Sequence, residues 1–351
     1  MKILHVTECM AGGVATAVVG YGMNLDVHQH FLLANARRSH GGMKPVPEGV
    51  FEEVLSLPED HLGAVQAVIK TAIEFQPDVI HAHSSFGGVY ARVARLDPRV
   101  RKIPVVYTPH GLAFARQDVS LGKKLIFKGL EIVFAPLTSV FAGCSSNETA
   151  LLREIAPKAT HICVPNAVPQ SRIDTFPKWE QPHEPAIGVL GRITAQRDPQ
   201  MLIEIANGLR SDSELRNTKV VWIGDGPAEL KDELQSAGIE ITGWVDAAEV
   251  PRRLGSLSVL VHTARWDGFP MAVLEALPMG VPVIVSDIPA LSESPRGARF
   301  SNSEEAIEEI RTLLKNPAAN DWSQVLGFYN QENQRKTLET AYLEASGKIV
   351  A

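Results

Sequence analysis

The chain has 351 residues, with 34 Lys or Arg against 40 Asp or Glu, so its net charge is −6. That length suits two domains of ordinary size, and the acidic balance lacks the basic surface that nucleic-acid binding requires. Cys9, Cys144 and Cys163 have no Cys-x-x-Cys spacing, which disfavours a disulfide framework or a zinc knuckle and fits a reducing compartment.

The first residues, "MKILHVTE", form a strand pattern and not the apolar core of a signal peptide. No stretch approaches about 18 uninterrupted apolar residues, the length that a membrane span requires. We therefore expect a cytoplasmic protein, either free or peripheral at the inner face of the membrane.

Strand-like apolar runs and helix-length segments alternate along the first half of the chain. The runs are "KILHVT", "HQHFLLA", "DVIHAH", "PVVYT", "SVFAGC" and "THICVP". The second half repeats the pattern with "AIGVLG", "KVVWIGDG", "SVLVHT" and "VPVIVSD". Such alternation predicts an α/β fold of two doubly wound, Rossmann-like domains. Because doubly wound sheets bind ligands beyond the carboxyl ends of their strands, we expect the two domains to face each other across a cleft.

The predicted boundary between the domains lies near residue 178, in a proline-rich linker over 169–185 that has no apolar period. We place the N-terminal domain at 1–168 and the C-terminal domain at 186–320. The tail over 321–351 carries apolar residues near helical spacing. We predict that it forms one or two helices that pack back on the domains.

Gly12 and Gly13 follow the first predicted strand, where the chain turns into a helix. Paired glycines let a backbone approach a ligand closely, and the free N–H groups at a helix start can bind phosphate. The alternative is an ordinary strand-to-helix turn. No acidic residue closes the second strand to hold a ribose, which disfavours a nicotinamide-dependent dehydrogenase.

Three histidines stand at or near the ends of predicted strands. His81 and His83 share one face of a strand, as a metal site would require, but no third ligand is evident near them. We therefore predict no metal site. His110, between Pro109 and Gly111, either shapes a reacting centre or is a structural residue.

Arg192 follows the strand "AIGVLG", and Arg197 precedes a helix that begins near Asp198-Pro199. Two guanidinium groups at the carboxyl end of a strand, beside a helix N-terminus, suit a diphosphate. The alternative is a solvated loop with ordinary surface arginines.

The segment at 265–287 predicts a turn, a short helix and a buried strand, with Pro270 at the first helical position and Gly280 at the helix end. The helix is apolar on every side, yet Glu275 lies in its middle. A buried carboxylate needs a partner, either an arginine of the chain or a ligand. Asp267 is either a helix cap or part of an anion site at the open turn.

Taken together, these stretches resemble the nucleotide-sugar-dependent glycosyltransferases of family 4, which have the GT-B fold. The match runs over nearly the whole chain, and the order and spacing of its motifs are more specific than any single motif. The motifs are Gly12-Gly13, "TPHG" at 108–111, "VPN" at 164–166, "GRITAQR" at 191–197, "IGDGP" at 223–227, "ITGWV" at 241–245 and "DGFPMAVLEALPMGVPVI" at 267–284.

The resemblance implies a retaining, hexosyltransferase-type enzyme that uses a nucleoside-diphosphate sugar, without a metal or other cofactor, in cell-surface polysaccharide or glycolipid biosynthesis. It implies that Glu275, in the Glu-x7-Glu signature, binds the ribose of the donor, and that His110 lies beside the anomeric carbon. Arg192 and Arg197 would neutralise the leaving diphosphate. The other donor-binding residues that it implies are Gly12, Gly13, Val245, Asp267, Gly268 and Phe269.

Two residues depart from the family pattern. Asp267 stands where the first Glu is usual and is one methylene shorter, so recognition of the sugar is altered or requires a closer approach. Arg197 stands where a lysine is common, which keeps the charge and replaces a point contact with a fork.

The acceptor, a saccharide or a lipid-linked saccharide, is expected on the N-terminal domain, whose loops at 35–48 and 111–122 carry no readable chemistry. Between 121 and 137 the chain predicts an amphipathic helix with a polar stripe of Lys124, Lys128 and Glu131. A basic amphipathic helix can lie on an anionic membrane, which suits a lipid-linked acceptor. The alternative is an ordinary surface helix over the core.

Two other functions remain open at this point. A nucleotide-sugar 2-epimerase on the same scaffold would convert the donor without any acceptor. A non-catalytic nucleotide-sugar sensor would bind the donor without turnover, if Asp267 has disabled the site.

Overall fold

The computed structural model describes residues 1–35 and 46–348, so most of the loop at 35–48 lies outside the described residues. Within the described ranges the strands are β1 (Lys2–Thr7), β2 (Gln29–Ala34), β3 (Glu53–Ser56), β4 (Val79–His83), β5 (Val105–Thr108), β6 (Val140–Gly143), β7 (Thr160–Cys163), β8 (Ala186–Leu190), β9 (Lys219–Ile223), β10 (Glu240–Ile241), β11 (Val259–His262), β12 (Val283–Ser286) and β13 (Arg299–Phe300). The helices are α1 (Gly12–Asn24), α2 (His61–Phe75), α3 (Ser84–Ala94), α4 (Leu121–Phe134), α5 (Ser146–Ile155), α6 (Gln170–Ile173), α7 (Pro199–Ser211), α8 (Ala228–Ser236), α9 (Val250–Gly255), α10 (Met271–Ala276), α11 (Ser303–Lys315), α12 (Ser323–Phe328) and α13 (Gln331–Ser346).

The chain divides into two compact units, each built on a parallel sheet. The first unit comprises 1–169 and 329–351, and the second comprises 170–328. The sheet of the first unit has the order β3-β2-β1-β4-β5-β6-β7, and that of the second has the order β10-β9-β8-β11-β12-β13. Both sheets are doubly wound, which confirms the predicted fold class. The strand order reverses between β1 and β4 in the first sheet and between β8 and β11 in the second, the positions where such sheets bind ligands.

Each of the ten predicted strands is present, and three further strands escaped prediction. β3 lies at an edge of its sheet and is largely exposed, so it lacks the apolar run that marks a buried strand. β10 and β13 have two residues each and occupy the two edges of the second sheet. Strands this short carry no periodic signal.

Consecutive residues of β1 point into different cores, because side chains alternate across a strand. Leu4 packs with Val6 and Tyr107 on one face of the first sheet. Ile3 packs on the other face with α1 and with Leu338 of α13. Both faces of the sheet are therefore covered, as the continuous apolar runs predicted.

The C-terminal tail forms two helices that belong to different units. α12 lies in the second unit, whereas α13 packs on the first sheet. The hydroxyl oxygen of Tyr342 lies 2.9 Å from His81 Nδ1, and Asn24 Nδ2 donates to Gln334 Oε1 at 3.1 Å. Within the described ranges, none of the helices combines the length and apolar character that crossing a bilayer needs.

Candidate functional site

Arg197 and Asp267 form an ion pair at the carboxyl ends of β8 and β11, where the order of the second sheet reverses. Arg197 Nη1 lies 2.5 Å from Asp267 Oδ2, and the two side chains are 19% and 13% exposed. Burial by itself raises the pKa of Asp267, but Arg197 and His262 outweigh burial and lower that pKa to about 2. Asp267 is therefore an anion at neutral pH. Its partner is Arg197, which the sequence predicted to bind a diphosphate.

His262, the last residue of β11, completes this arrangement. Its Nε2 lies 2.9 Å from Arg197 Nη1. Burial and the adjacent Arg197 cation lower the pKa of His262, so its imidazole is neutral. The same Nε2 lies 3.3 Å from Asp267 Oδ2, so it can either accept from Arg197 or donate to the Asp267 carboxylate. His262 was not predicted from the sequence, although a polar residue at the end of the apolar strand "SVLVHT" is a usable signal.

Close contact between two loops positions the arginines. Ile193 N donates to the carbonyl oxygen of Asp225 at 2.8 Å, which ties the loop after β8 to the loop after β9. Gly224 has φ +146, and a Cβ there would lie 2.1 Å from the carbonyl oxygen of Gly191. The glycine of the "IGDGP" motif is therefore required for the loop that carries Arg197 to approach its neighbour.

Asp267 does not cap the following helix, so that alternative is wrong. Its Oδ1 accepts from Gly268 N at 3.0 Å, within the turn itself. α10 begins at Met271, and Pro270 occupies the cap position, one residue before the predicted place. Phe269 is only 1% exposed, so its side chain belongs to the core. A ligand at this turn would meet Phe269 through the backbone.

Glu275 pairs with an arginine of the chain. Arg172 Nη2 lies 2.7 Å from Glu275 Oε1, and the glutamate side chain is 9% exposed. Of the two kinds of partner that the sequence left open, the structure contains the arginine. The burial of Glu275 therefore does not by itself require a ligand, and its role towards a ribose depends on the family signature alone.

Arg172 comes from α6, inside the segment that the sequence predicted as a linker. Sequence reasoning missed it because a single arginine in a proline-rich segment shows no local pattern. Its guanidinium carbon also lies 6.0 Å from the centre of the Phe176 ring. Only the fold brings this short helix beside α10.

The remaining predicted residues of the second unit also follow strands. Arg192 is the second residue after β8, and Val245 lies beyond β10; both are half-buried. The second unit thus contains most of the predicted donor-binding residues. They are Arg192, Arg197, Val245, Asp267, Gly268, Phe269 and Glu275.

Gly12, Gly13 and His110 lie in the first unit. The two glycines are exposed at the start of α1, and Gly12 has φ +57. Ala11 precedes them at the cap position and makes no side-chain cap hydrogen bond. The start of α1 therefore presents glycine backbone to solvent, as close approach to a ligand would require.

His110 stands in a left-handed turn after β5, with φ +53, and Gly111 beside it has φ +109. Glu148 of α5 holds the turn, because its Oε1 accepts from Gly111 N at 2.6 Å and its Oε2 accepts from Cys144 N at 2.8 Å. Burial lowers the pKa of His110 to about 3. The imidazole is therefore neutral at physiological pH.

His5, His81 and His83 lie together beneath the first sheet, with ligand atoms within 4.8 Å of one another. The sequence analysis recognised no third partner for His81 and His83, and that was wrong: β1 supplies it. His81 bonds to Tyr342 and Thr108, at 2.9 Å in both cases. Both ring nitrogens of His5 and of His83 bond to other histidines. The group is thus satisfied by protein hydrogen bonds.

Two family descriptions match the chain and together span most of it. "Glycosyl transferase 4-like domain" matches residues 5–167, and "Glycosyl transferases group 1" matches residues 184–316. The first range contains His110 and the paired glycines, and the second contains the Arg197–Asp267 pair and Glu275.

The chain is also similar to particular proteins. It is 26% identical over 305 residues to an uncharacterized 41.2 kDa protein in the cps region of Klebsiella pneumoniae, covering 84% of this chain and 83% of that protein. It is 29% identical over 239 residues to the Escherichia coli UDP-Gal:alpha-D-GlcNAc-diphosphoundecaprenol alpha-1,3-galactosyltransferase, covering 60% of this chain and 58% of that enzyme. A sucrose-phosphate synthase from Thermosynechococcus elongatus shares the fold, with TM-score 0.71 at 13% identity, covering 99% and 97% of the two chains.

Proposed function

The chain belongs to the family 4 glycosyltransferases, with the GT-B fold, and we propose from that premise that it transfers a hexosyl group from a nucleoside-diphosphate sugar to a saccharide or lipid-linked acceptor with retention of configuration. One observation carries this proposal. An arginine, an anionic aspartate and a neutral histidine meet at the carboxyl ends of β8 and β11, the switch point of a doubly wound sheet.

The chemistry of the transfer explains why arginines are needed there. Cleavage of the bond between the anomeric carbon and the diphosphate oxygen leaves positive charge on the sugar and negative charge on the diphosphate. Arg192 and Arg197 would neutralise the diphosphate. The acceptor hydroxyl group would attack the anomeric carbon on the face that the diphosphate leaves, and its proton would pass to the departing diphosphate.

Asp267 would orient Arg197 for this role. Among the described residues, the guanidinium of Arg197 bonds to side chains through Nη1, to Asp267 and His262. Its remaining N–H groups can then meet phosphate oxygens in a fixed direction, as a bidentate fork requires. A lysine would lack these further donors, so the arginine at position 197 suits a pairing with the shorter carboxylate at position 267.

Glu275 would bind the ribose of the donor, as the family signature implies. Arg172 would then hold the carboxylate in place through Oε1 and keep it ionised in its apolar helix.

The transfer would proceed without a bound metal, and turnover should therefore withstand a chelator.

The transfer can be tested with the full chain, a panel of nucleoside-diphosphate sugars, and saccharide and lipid-linked acceptors. We expect nucleotide release that depends on an acceptor, with the anomeric configuration of the donor kept in the product. Conversion of the donor without an acceptor would instead indicate a 2-epimerase. Binding without turnover across the panel would indicate a sensor. Either result would overturn the transferase proposal.

A lipid-linked acceptor is supported by the way in which α4 is anchored. The only buried residue of α4 is Glu131, so the predicted polar stripe is wrong at this position. Glu131 Oε2 lies 2.7 Å from Arg92 Nη1, and Glu131 Oε1 accepts from the Tyr107 hydroxyl group at 3.0 Å. An inward glutamate leaves the apolar side chains of α4 outside. The large exposed ones are Leu121, Leu125, Ile126, Leu130, Ile132 and Val133.

An exposed apolar helix with lysines fits an anionic bilayer. Leu121, Leu125 and Val133 are 72%, 62% and 69% exposed on one helix, whereas an ordinary surface helix over the core exposes large apolar side chains singly. Lys123 is exposed on the same helix and can meet lipid phosphates. We expect α4 to lie on the membrane surface and bring the first unit to lipid-linked acceptors.

Co-sedimentation with vesicles tests this placement. The full chain should sediment with anionic vesicles at low salt and less with neutral ones. Leu125→Glu combined with Ile126→Glu should abolish sedimentation. The matched control is Leu62→Glu, because Leu62 is 78% exposed but lies on α2. Equal sedimentation of all three proteins, or none for the unaltered chain, would remove the membrane proposal and leave the transfer itself untouched.

A further inference from the structure

Four histidines of the first unit form one continuous series of hydrogen bonds. His30 Nδ1 lies 2.9 Å from His5 Nε2, and His5 Nδ1 lies 2.9 Å from His83 Nε2. His83 Nδ1 lies 3.2 Å from His110 Nε2. The series, here called the histidine relay, joins β2, β1 and β4 to the turn after β5.

The far end of the histidine relay sets its direction. His30 Nε2 lies 2.8 Å from the carbonyl oxygen of Leu25, which can only accept. His30 Nε2 must therefore carry a proton. If the ring is neutral, its Nδ1 is an acceptor, and His5 must donate from Nε2.

All four rings are neutral at physiological pH. Burial lowers the pKa of His30 to about 4 and that of His110 to about 3. Burial, together with neighbouring histidines, lowers the pKa values of His5 and His83 well below the ordinary value. A second proton on His30, His5 or His83 would reverse the direction of every link between that ring and His110, so the direction of the relay requires neutral rings.

The direction of this first link fixes the direction of the other two. His5 accepts at Nδ1, so His83 donates from Nε2 and accepts at its own Nδ1. His110 must therefore donate from Nε2, and its Nδ1 carries the lone pair. Within the described residues, Nδ1 of His110 has no hydrogen-bond partner, and the residue is half-buried.

We propose that His30, His5 and His83 are positioning residues that hold His110 in the Nε2–H tautomer, so that His110 Nδ1 accepts a hydrogen bond from a hydroxyl group of the bound substrate. The contact with substrate rests on the proposed function. The tautomer does not, because it follows from the protein hydrogen bonds and from the neutrality of the four rings.

His81 provides a control inside the same cluster. Its ring centre lies 4.0 Å from that of His83, and it is as fully buried. Both of its nitrogens bond outside the relay, to Tyr342 and Thr108. Replacement of His81 should therefore disturb packing without releasing the tautomer of His110.

The test is a nitrogen-15 spectrum of the imidazole groups in the full chain, labelled at histidine, at neutral pH. The signals of His110 are assigned by their loss in His110→Gln. We expect His110 to be neutral and protonated on Nε2 alone in the unaltered chain and in His81→Phe. In His83→Phe and in His30→Phe, His110 should become a mixture of the two tautomers. Circular dichroism checks that each variant is folded.

Turnover supplies the second measurement. His83→Phe should lower kcat by up to about tenfold, the effect of one neutral hydrogen bond. The change in KM should be smaller. In His81→Phe, kcat should fall less than in His83→Phe. A proton on Nδ1 of His110 in the unaltered chain would overturn the proposal. So would an unchanged tautomer in His83→Phe, or an equal change in His81→Phe. If the spectra agree but no transfer is found with any donor, the tautomer stands and the proposed function fails.

Discussion

The two sheets hold polar side chains in different electrostatic states. In the first unit, His5, His83 and His110 are neutral and bond to one another. In the second unit, Arg197 and Asp267 stay ionised, 2.5 Å apart. Burial removes the charge from an imidazole whose neighbours are also uncharged, whereas a cation beside a buried carboxylate preserves its charge. The first arrangement offers a hydrogen-bond acceptor, and the second suits a leaving anion.

The tryptophans allow the two units to be followed separately. All five lie in the second unit, so tryptophan fluorescence reports on that unit alone, whereas circular dichroism reports on both. They are Trp179, Trp222, Trp244, Trp266 and Trp322.

Lowering the pH should produce the largest difference in stability between the two units. Below pH 6.5 the histidines of the unfolded chain bind protons, whereas those of the folded cluster stay neutral. The stability of the first unit therefore falls as the pH drops from 6.5 to the folded pKa values, which are about 4 for His30 and about 3 for His110. Each such histidine lowers the free energy of unfolding by up to about 1.4 kcal/mol per pH unit. The five buried or half-buried histidines together lower it by several kcal/mol. They are His5, His30, His81, His83 and His110.

Asp267 also loses its stabilising effect as the pH falls, but in a lower range of pH. Its lowered pKa stabilises the second unit above pH 3.8, and that stability is lost as the pH falls to about 2. Between pH 7 and 5.5, His262 lowers the stability of the second unit in the same way, but it is one histidine against five. Thermal unfolding followed by circular dichroism should therefore move further to lower temperature than the fluorescence transition does. Coincident transitions at both pH values would contradict the comparison.

Removal of the cation from the ion pair should give the next largest effect. Arg197→Ala leaves the Asp267 carboxylate buried without its cation, which costs about 3–5 kcal/mol. Urea unfolding followed by tryptophan fluorescence should show this loss in the second unit. Arg197→Ala combined with Asp267→Asn should recover part of it. No recovery would mean that the arginine stabilises the unit through packing instead of charge.

Arg192→Ala should affect turnover and not folding. Loss of one preorganised contact with the developing charge costs about 2.7–4 kcal/mol, on the order of 10²–10³ in kcat. The fluorescence transition should move less than in Arg197→Ala, which leaves a buried carboxylate without its cation. Near-normal turnover would remove Arg192 from the mechanism.

Arg197→Lys should give the smallest change. The lysine keeps a positive charge near Asp267 but loses the contact with His262, a loss of about 0.5–1.5 kcal/mol. Both turnover and the unfolding midpoint should therefore lie between those of the unaltered chain and Arg197→Ala. A lysine variant as weak as the alanine variant would show that the fork itself is indispensable.

Three features of the structure could not be predicted from local sequence patterns. The exposed edge strand β3 had no apolar run, and Arg172 stood in a segment without any pattern, so neither was predicted. Glu131 was assigned to a polar surface stripe, yet Arg92 and Tyr107 draw it inward. Each of these errors concerns a residue whose environment is built by elements distant in the chain.

The sequence by itself determined the ten main strands, the two doubly wound sheets and the order of the motifs, because apolar periodicity and glycine-rich turns are local properties. It also placed Arg197 between a strand and a helix, and Asp267 in a turn before a short helix. Only the tertiary structure decided that these two pair with each other, that Arg172 meets Glu275, and that histidines from separate strands form one relay. In a parallel sheet, neighbouring strands come from distant parts of the chain, so side-chain partners depend on strand order and register, which no single segment encodes.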